Sequence, residues 1–147
     1  MLPWPQRLYF WGVHGIFAEV VFTGLWEFVV TGNWRFMGVS SMWSFFVYGL
    51  GTFFVAEFLH KLLVSYKIPL LLRCLIYVLF AYAWEFLCGV ILDCFGTRPW
   101  DYTDFDYDIM GLITMEYAPV WFLGGLVFEG AMSLMKALEQ NTKKTEN

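Results

Sequence analysis

Apolar residues gather in four long runs, separated by short polar breaks. The first extends from Leu8 to Val30, behind Pro3, Pro5 and Arg7, and stops at Thr31-Gly32-Asn33. The second extends from Val39 to Leu63, with Ser40 or Ser41 placed to cap it. The third extends from Leu70 to Leu92, after the Lys67-Ile68-Pro69 turn. A proline at a helix start costs little, because its missing N–H has no partner there anyway. The fourth lies between Met110 and Met135 and contains Pro119. That proline is expected to kink the helix, or to split it into a short re-entering piece and a longer one. A helix crosses a bilayer in about 20 residues, and all four runs meet that length. Barrel strands would be about half as long and would alternate, which these do not. The expected fold is therefore all-α: a multi-pass membrane protein forming a four-span helical bundle.

Composition sharpens the class. Of 147 residues, 59% are hydrophobic and 22% aromatic. Only 15% are charged, against roughly 25% in soluble domains. The net charge of −4 and the lack of a basic stripe argue against nucleic acid as a partner. The first run is too long for the apolar core of a signal peptide and is expected to be retained. Cys74, Cys88 and Cys94 have no metal-ligand spacing, and a disulfide framework is not expected.

The chain repeats itself. Trp26-Glu27-Phe28 recurs as Trp84-Glu85-Phe86, at an offset of 58. Met37-Gly38-Val39-Ser40-Ser41-Met42 is echoed by Met110-Gly111-Leu112-Ile113-Thr114-Met115, at an offset of 73. The extra 15 residues hold an acidic, aromatic loop. Two tandem helical hairpins are expected, residues 8–66 and 70–136, within a transmembrane domain of 8–136. The loop covers 93–108, with a short N-terminal stretch of 1–7 and a tail of 137–147. Tandem two-span units keep one orientation, as in parallel transporter repeats. Arg7, Lys61, Lys67, Arg73, Lys136, Lys143 and Lys144 fall on one side, and only Arg35 and Arg98 on the other. The positive-inside rule then puts both termini in the cytosol and the loop outside.

The candidate chemistry is carried by acids inside these runs. Glu19, Glu85, Glu116 and Glu129 lie within spans, and Glu27 lies near a span end. A central acid costs roughly 2.5 to 3.5 kcal/mol on insertion scales, so each needs a reason. Glu19 and Glu27 stand about 80° apart around a helix and about 12 Å along it, so they can face one interior. His14 and Glu19 stand about 140° apart, which argues against a direct acid–base pair within one helix, though each could meet a residue on another span. Two accounts cover these acids. They tie helices together through hydroxyls such as those of Tyr48, Tyr77, Tyr82 and Tyr117, or they line a polar cavity. Arg35 and Arg98 are the local cations that could pair with Glu27 or Glu85. The candidate polar interior is thus His14, Glu19, Glu27, Arg35, Glu85, Arg98, Glu116 and Glu129. Glu57, His60 and Lys61 are expected to form a solvated cap at the end of the second run. Glu129 and Lys136, two turns apart, are read as one face running from interior to interface.

Between Pro99 and Asp108, aromatics alternate with acids. Asp104, Asp106 and Asp108 are spaced like the start of a calcium loop, but the glycine and closing glutamate of that motif are absent. They remain a weak metal candidate. An aromatic belt at headgroup level, with the aspartates in water, is the expected arrangement. No phosphate loop, nucleophile elbow, dinucleotide fingerprint or HExxH motif occurs. Two histidines, His14 and His60, are too few for a histidine-rich metal centre.

Several segments together resemble the vertebrate transmembrane protein 229 family. They are His14–Val21, Phe22–Thr31, Arg73–Val78, Tyr82–Leu87 and Pro99–Met115 running into Glu116-Tyr117-Ala118. The resemblance covers Leu8 to Glu129 and implies a small four-span membrane protein. Its wider bacterial family carries the label of a type IV ABC-transporter component, which implies an association with transport. Bacterial relatives open the second span with a glycine- and proline-rich stretch, whereas Phe36–Trp43 here has no proline. No nucleotide-binding module is present, so the chain can be at most a membrane subunit.

The expected role is a non-enzymatic membrane subunit or scaffold. The alternative is a lipid-handling membrane enzyme or small carrier that uses its intramembrane glutamates. No cofactor is expected. The expected partners are membrane lipid and either a second copy of the chain or another membrane protein.

Overall fold

The computed structural model describes residues 3–145, with side chains described through residue 141. Lys143 and Lys144, counted in the charge bias above, have side chains outside the described residues. The chain is all-α in its framework, with four long apolar helices packed as two helix pairs. They span Trp4–Thr31, Met42–Ser65, Leu70–Cys94 and Met115–Asn141. An internal two-fold helical repeat relates the two halves of the chain.

Helix α1 covers Trp4–Thr31, 28 residues and about 42 Å long. Pro5 sits in its first turn, and Gly32 closes it in the left-handed conformation, donating its N–H to Phe28 O. Helix α2 covers Met42–Phe54. A single π-helical turn, Val55–Leu59, carries the same span into helix α3, His60–Ser65. Helix α4 covers Leu70–Cys94, with Pro69 at its N-cap. A two-stranded antiparallel ribbon follows, β1 (Asp108–Ile109) and β2 (Ile113–Thr114), with Ile109 opposite Ile113. One 3₁₀ turn, Met115–Tyr117, leads into helix α5, Ala118–Thr145.

Two sequence expectations change here. Pro119 is the second residue of α5, where no helical N–H is lost, so it neither kinks nor splits the span. The second span begins at Met42 rather than Val39. The Ser41 hydroxyl caps it by accepting the Trp43 N–H at 3.2 Å.

The chain folds as two compact units, Leu2–Phe54 and Val55–Asn147. In the first, α1 and α2 cross where Gly12 meets Gly49. A Cβ on Gly49 would lie 3.1 Å from the Gly12 Cα, so small residues set this approach. The chain before α2 turns back along α1 in an extended form. Gly24 makes room for it, since a Cβ there would lie 2.9 Å from Phe36 O. The Thr23 hydroxyl accepts the Val39 N–H at 2.8 Å, giving this unpaired backbone a partner.

The second unit repeats the device. The strand before α5 turns back along α4, where Tyr82 donates its hydroxyl to Thr114 O at 3.0 Å. Leu112, Ile113 and Thr114 are buried there. The core of this unit is Val55, Leu63 and Tyr77, with Leu59, Ile68, Ile76, Phe80 and Phe128 packed around it. The end of the second span therefore packs with α4 and α5. The unit boundary falls at Phe54–Val55, where the π turn begins, and not at the end of the span.

A candidate polar centre at one end of the second unit

Arg73 lies one turn into α4, with Tyr77 one turn further on the same face. Glu129 comes from α5 and His60 from the first residue of α3. These four side chains meet. Arg73 donates from Nε to Glu129 Oε1 and from a terminal nitrogen to Oε2, both at 2.7 Å. Its other terminal nitrogen donates to Ile68 O at 2.8 Å. Tyr77 donates its hydroxyl to Glu129 Oε1 at 2.7 Å. His60 Nδ1 lies 3.1 Å from that hydroxyl and 3.3 Å from Glu129 Oε1.

Glu129 is 7% exposed and Tyr77 6%. Phe128 walls the group, meeting the rings of His60 and Tyr77 edge-on at 5.7 and 5.5 Å. Gly125, one turn before Glu129, admits α4 closely, because a Cβ there would lie 3.4 Å from Cys74 and Tyr77. A carboxylate in such a place is stable only when paired and hydrogen-bonded, and here both oxygens are held. The fork-to-fork match of guanidinium and carboxylate is the strongest form of such a pair.

Sequence reasoning placed His60 in a solvated cap with Glu57 and Lys61. The cap forms without it: Lys61 Nζ reaches Glu57 at 2.8 Å. The extra residue of the π turn takes His60 off the face of Glu57 and into the interior. Glu129 is buried and Lys136, two turns further along α5, is exposed, as a face running from interior to interface places them. Arg73 was missed as a site residue, and Tyr77 was expected only as one of several hydroxyls that could tie an acid. Their signal was present: an arginine one turn inside a span needs an acid, and Tyr77 follows it at helical spacing.

The other sequence candidates fall in separate places. Glu19 is half-buried on α1 and accepts from the Ser40 hydroxyl and, at 3.4 Å, from Tyr48. His14 is exposed, bonded to Phe10 O at 2.8 Å. Glu27 is half-buried and Arg35 exposed, and neither side chain finds a partner among the described residues. Glu85 is 7% exposed and accepts the Tyr102 hydroxyl at 2.8 Å. Arg98 does not reach it. Instead Arg98 holds the loop, donating to Asp93 at 2.7 Å, Trp100 O at 2.8 Å and Gly111 O at 2.6 Å. Glu116 accepts the Thr114 hydroxyl and the Tyr107 N–H, closing the ribbon at the start of α5.

The loop is folded rather than simply lying at an interface. Tyr102, Phe105 and Tyr117 pack edge-to-face with centroids 5.2 to 5.9 Å apart. Asp104 and Asp106 are exposed, and Asp108 is spent on the Gly111 N–H at 2.6 Å. Among the described residues no group of three or more His, Cys, Asp or Glu is arranged to hold a metal ion.

Residues 8–146 match the model of a family described as “Putative ABC-transporter type IV”. The chain belongs to that family. No solved structure matches it. The match runs through both hairpins and takes in all four residues of the polar centre.

Proposed function

We propose that this family member is a small carrier-type membrane component, and that Arg73, Tyr77, Glu129 and His60 form its working site. One observation carries the reading: a carboxylate 7% exposed, between spans, with an arginine, a tyrosine and a histidine all directed at it. Packing alone does not need this. Apolar side chains of similar volume would hold the same helices at equal or better stability. A site that exchanges protons or charged ligands does need paired ionisable groups, and intramembrane charges concentrate at such sites. The family description is consistent with a membrane subunit in transport. The finer resemblance, to the B form of transmembrane protein 229, belongs to the same proposal. So do both termini in the cytosol, which would put the centre near the cytosolic ends of its spans, and the pairing with lipid or a second copy.

A scaffold role is the second reading, and a different observation favours it. Each of Glu19, Glu85 and Glu129 accepts a tyrosine hydroxyl, from Tyr48, Tyr102 and Tyr77. That recurrence is what helix-tying acids would show.

Native mass spectrometry of the protein released from nanodiscs separates the two. A ligand retained by the native protein and lost in Arg73→Gln, with helicity intact, carries the carrier reading. A native protein with nothing retained would leave the scaffold.

A further inference from the structure

Glu129 occupies a place shaped for a carboxylate, and this suggests what else could occupy it. The Arg73 fork offers two parallel N–H donors with a 2.7 Å bond to each oxygen. One of those oxygens also takes the Tyr77 hydroxyl at 2.7 Å and lies 3.3 Å from His60 Nδ1. The donors belong to α3 and α4, while the acceptor belongs to α5. The receptor for the anion is therefore complete without Glu129.

Resting on the carrier reading above, we infer that Glu129 is a tethered stand-in for a carboxylate ligand, and that the ligand enters together with one proton. The proton goes to Glu129, which becomes a neutral acid and leaves the Arg73 fork. The ligand carboxylate takes the two N–H bonds and the Tyr77 hydroxyl. The charge is balanced at each end of the exchange. Before it, the guanidinium faces the Glu129 carboxylate; after it, the guanidinium faces the ligand. No unpaired charge is left in an apolar place, which is the condition such a site must meet.

The groups facing Glu129 support this order. From α4 come Arg73, Tyr77 and Cys74, and from α3 comes His60. On its own helix, the Ser133 hydroxyl binds the Glu129 main-chain oxygen at 2.9 Å and leaves the carboxylate alone. His60 brings the one imidazole of this set, whose two ring nitrogens can take up a proton on one side and give it up on the other, and its Nδ1 lies 3.3 Å from Glu129 Oε1, so it can relay the proton. It also stands toward the more open side: the Arg73 and His60 side chains are 17% and 15% exposed, against 8% for Glu129. Arg73 is one turn from the start of α4 and His60 about 8 Å from the end of its span. A carboxylate arriving from water or from the headgroup layer therefore meets Arg73 first.

The test is binding and proton counting on the full chain in neutral detergent, with sodium dodecanoate and sodium acetate as probes. Isothermal titration in two buffers of different ionisation heat gives affinity and protons taken up together. The expected result is dodecanoate binding with uptake of about one proton per carboxylate bound, since one acid is neutralised per exchange. Glu129→Gln should bind about tenfold or more tightly at pH 8, without proton uptake, because the competing anion is gone. Arg73→Gln should lose binding in both backgrounds. Acetate binding as tightly as dodecanoate would assign a free carboxylate, and dodecanoate alone a lipid-like one.

Binding without proton uptake, or Glu129→Gln binding more weakly while its helicity and elution are native, would overturn the exchange. Should Glu129→Gln misfold, the native protein decides alone: uptake of one proton per carboxylate requires dodecanoate affinity to fall about tenfold per pH unit between pH 7 and 9, and an affinity independent of pH would overturn the exchange. A native ligand lost in Arg73→Gln, with neither carboxylate bound, would overturn this inference and leave the carrier reading standing.

Discussion

Arg73 and Glu129 are 56 positions apart in sequence and meet through two N–H···O bonds of 2.7 Å. The pair joins α4 to α5 where Gly125 lets the helices close. Removing one partner leaves the other charged and buried. Arg73→Ala is expected to destabilise the protein by about 3–5 kcal/mol, whereas Arg73→Met with Glu129→Leu should be neutral or stabilising. Thermal unfolding of the two variants in the same nanodisc decides it, and a double variant as weak as the single one would refute this account.

Tyr102 reaches from the loop to Glu85 on α4 at 2.8 Å. Tyr102→Phe leaves the Phe105 and Tyr117 ring packing in place but removes the donor. Losing one hydrogen bond to a carboxylate costs about 1.5–3 kcal/mol. Glu85→Gln keeps an acceptor for the hydroxyl and is expected to cost less. Hydrogen exchange across residues 100–107 should rise more for the tyrosine variant than for the glutamine variant.

Four spans, their order and the tandem hairpins were legible because helix length, terminal prolines and repeated WEF segments are local signals. Pro119 departs from the expected kink because the ribbon before it, which delays the start of α5, leaves no signal in the sequence. Asp108, Ile109, Ile113 and Thr114 make two strands of two residues each, too short for a period to show. The acids were legible as costly, and Tyr48 and Tyr77 as hydroxyls that could serve them, but their charged partners were not. Arg98 is near Glu85 in sequence yet binds Asp93 and loop carbonyls, while Arg73 finds an acid from the other end of the repeat. His60 was hidden by the π turn, which no spacing rule based on 3.6 residues anticipates.

Arg98 binds three oxygens in the loop: Asp93, Trp100 O and Gly111 O. A lysine has the charge but not the fork, so Arg98→Lys should fail to replace it. Both Arg98→Lys and Arg98→Ala are expected to speed proteolysis within residues 95–108, with α4 and α5 left intact. Equal cleavage rates for Arg98→Lys and the native protein would show that charge alone holds the loop.

Asp104, Asp106 and Asp108 carry the spacing of a calcium loop without its geometry. Asp108 already serves the Gly111 N–H, and Asp104 and Asp106 are exposed. Calcium at millimolar concentration should therefore leave the unfolding temperature where a chelator leaves it. A rise that saturates with calcium and disappears in Asp106→Asn would restore the metal reading.

Two helix glycines should respond in opposite directions. Gly24 sits where the extended segment before α2 crosses α1, and a Cβ there would lie 2.9 Å from Phe36 O. Backbone cannot rotate away as a side chain can, so Gly24→Val should force the segment off the helix and lose the Thr23–Val39 bond. Gly124 lies inside α5 with nothing within 4 Å of its Cβ position. There Gly124→Ala removes only backbone freedom and should stabilise the helix by up to about 1 kcal/mol. Unfolding curves of the two variants, with tryptophan fluorescence reporting on Trp34 and Trp43 beside the extended segment, test the pair. A tolerated Gly24→Val would mean that the segment does not pack on α1, and the repeat would then lack its shared device.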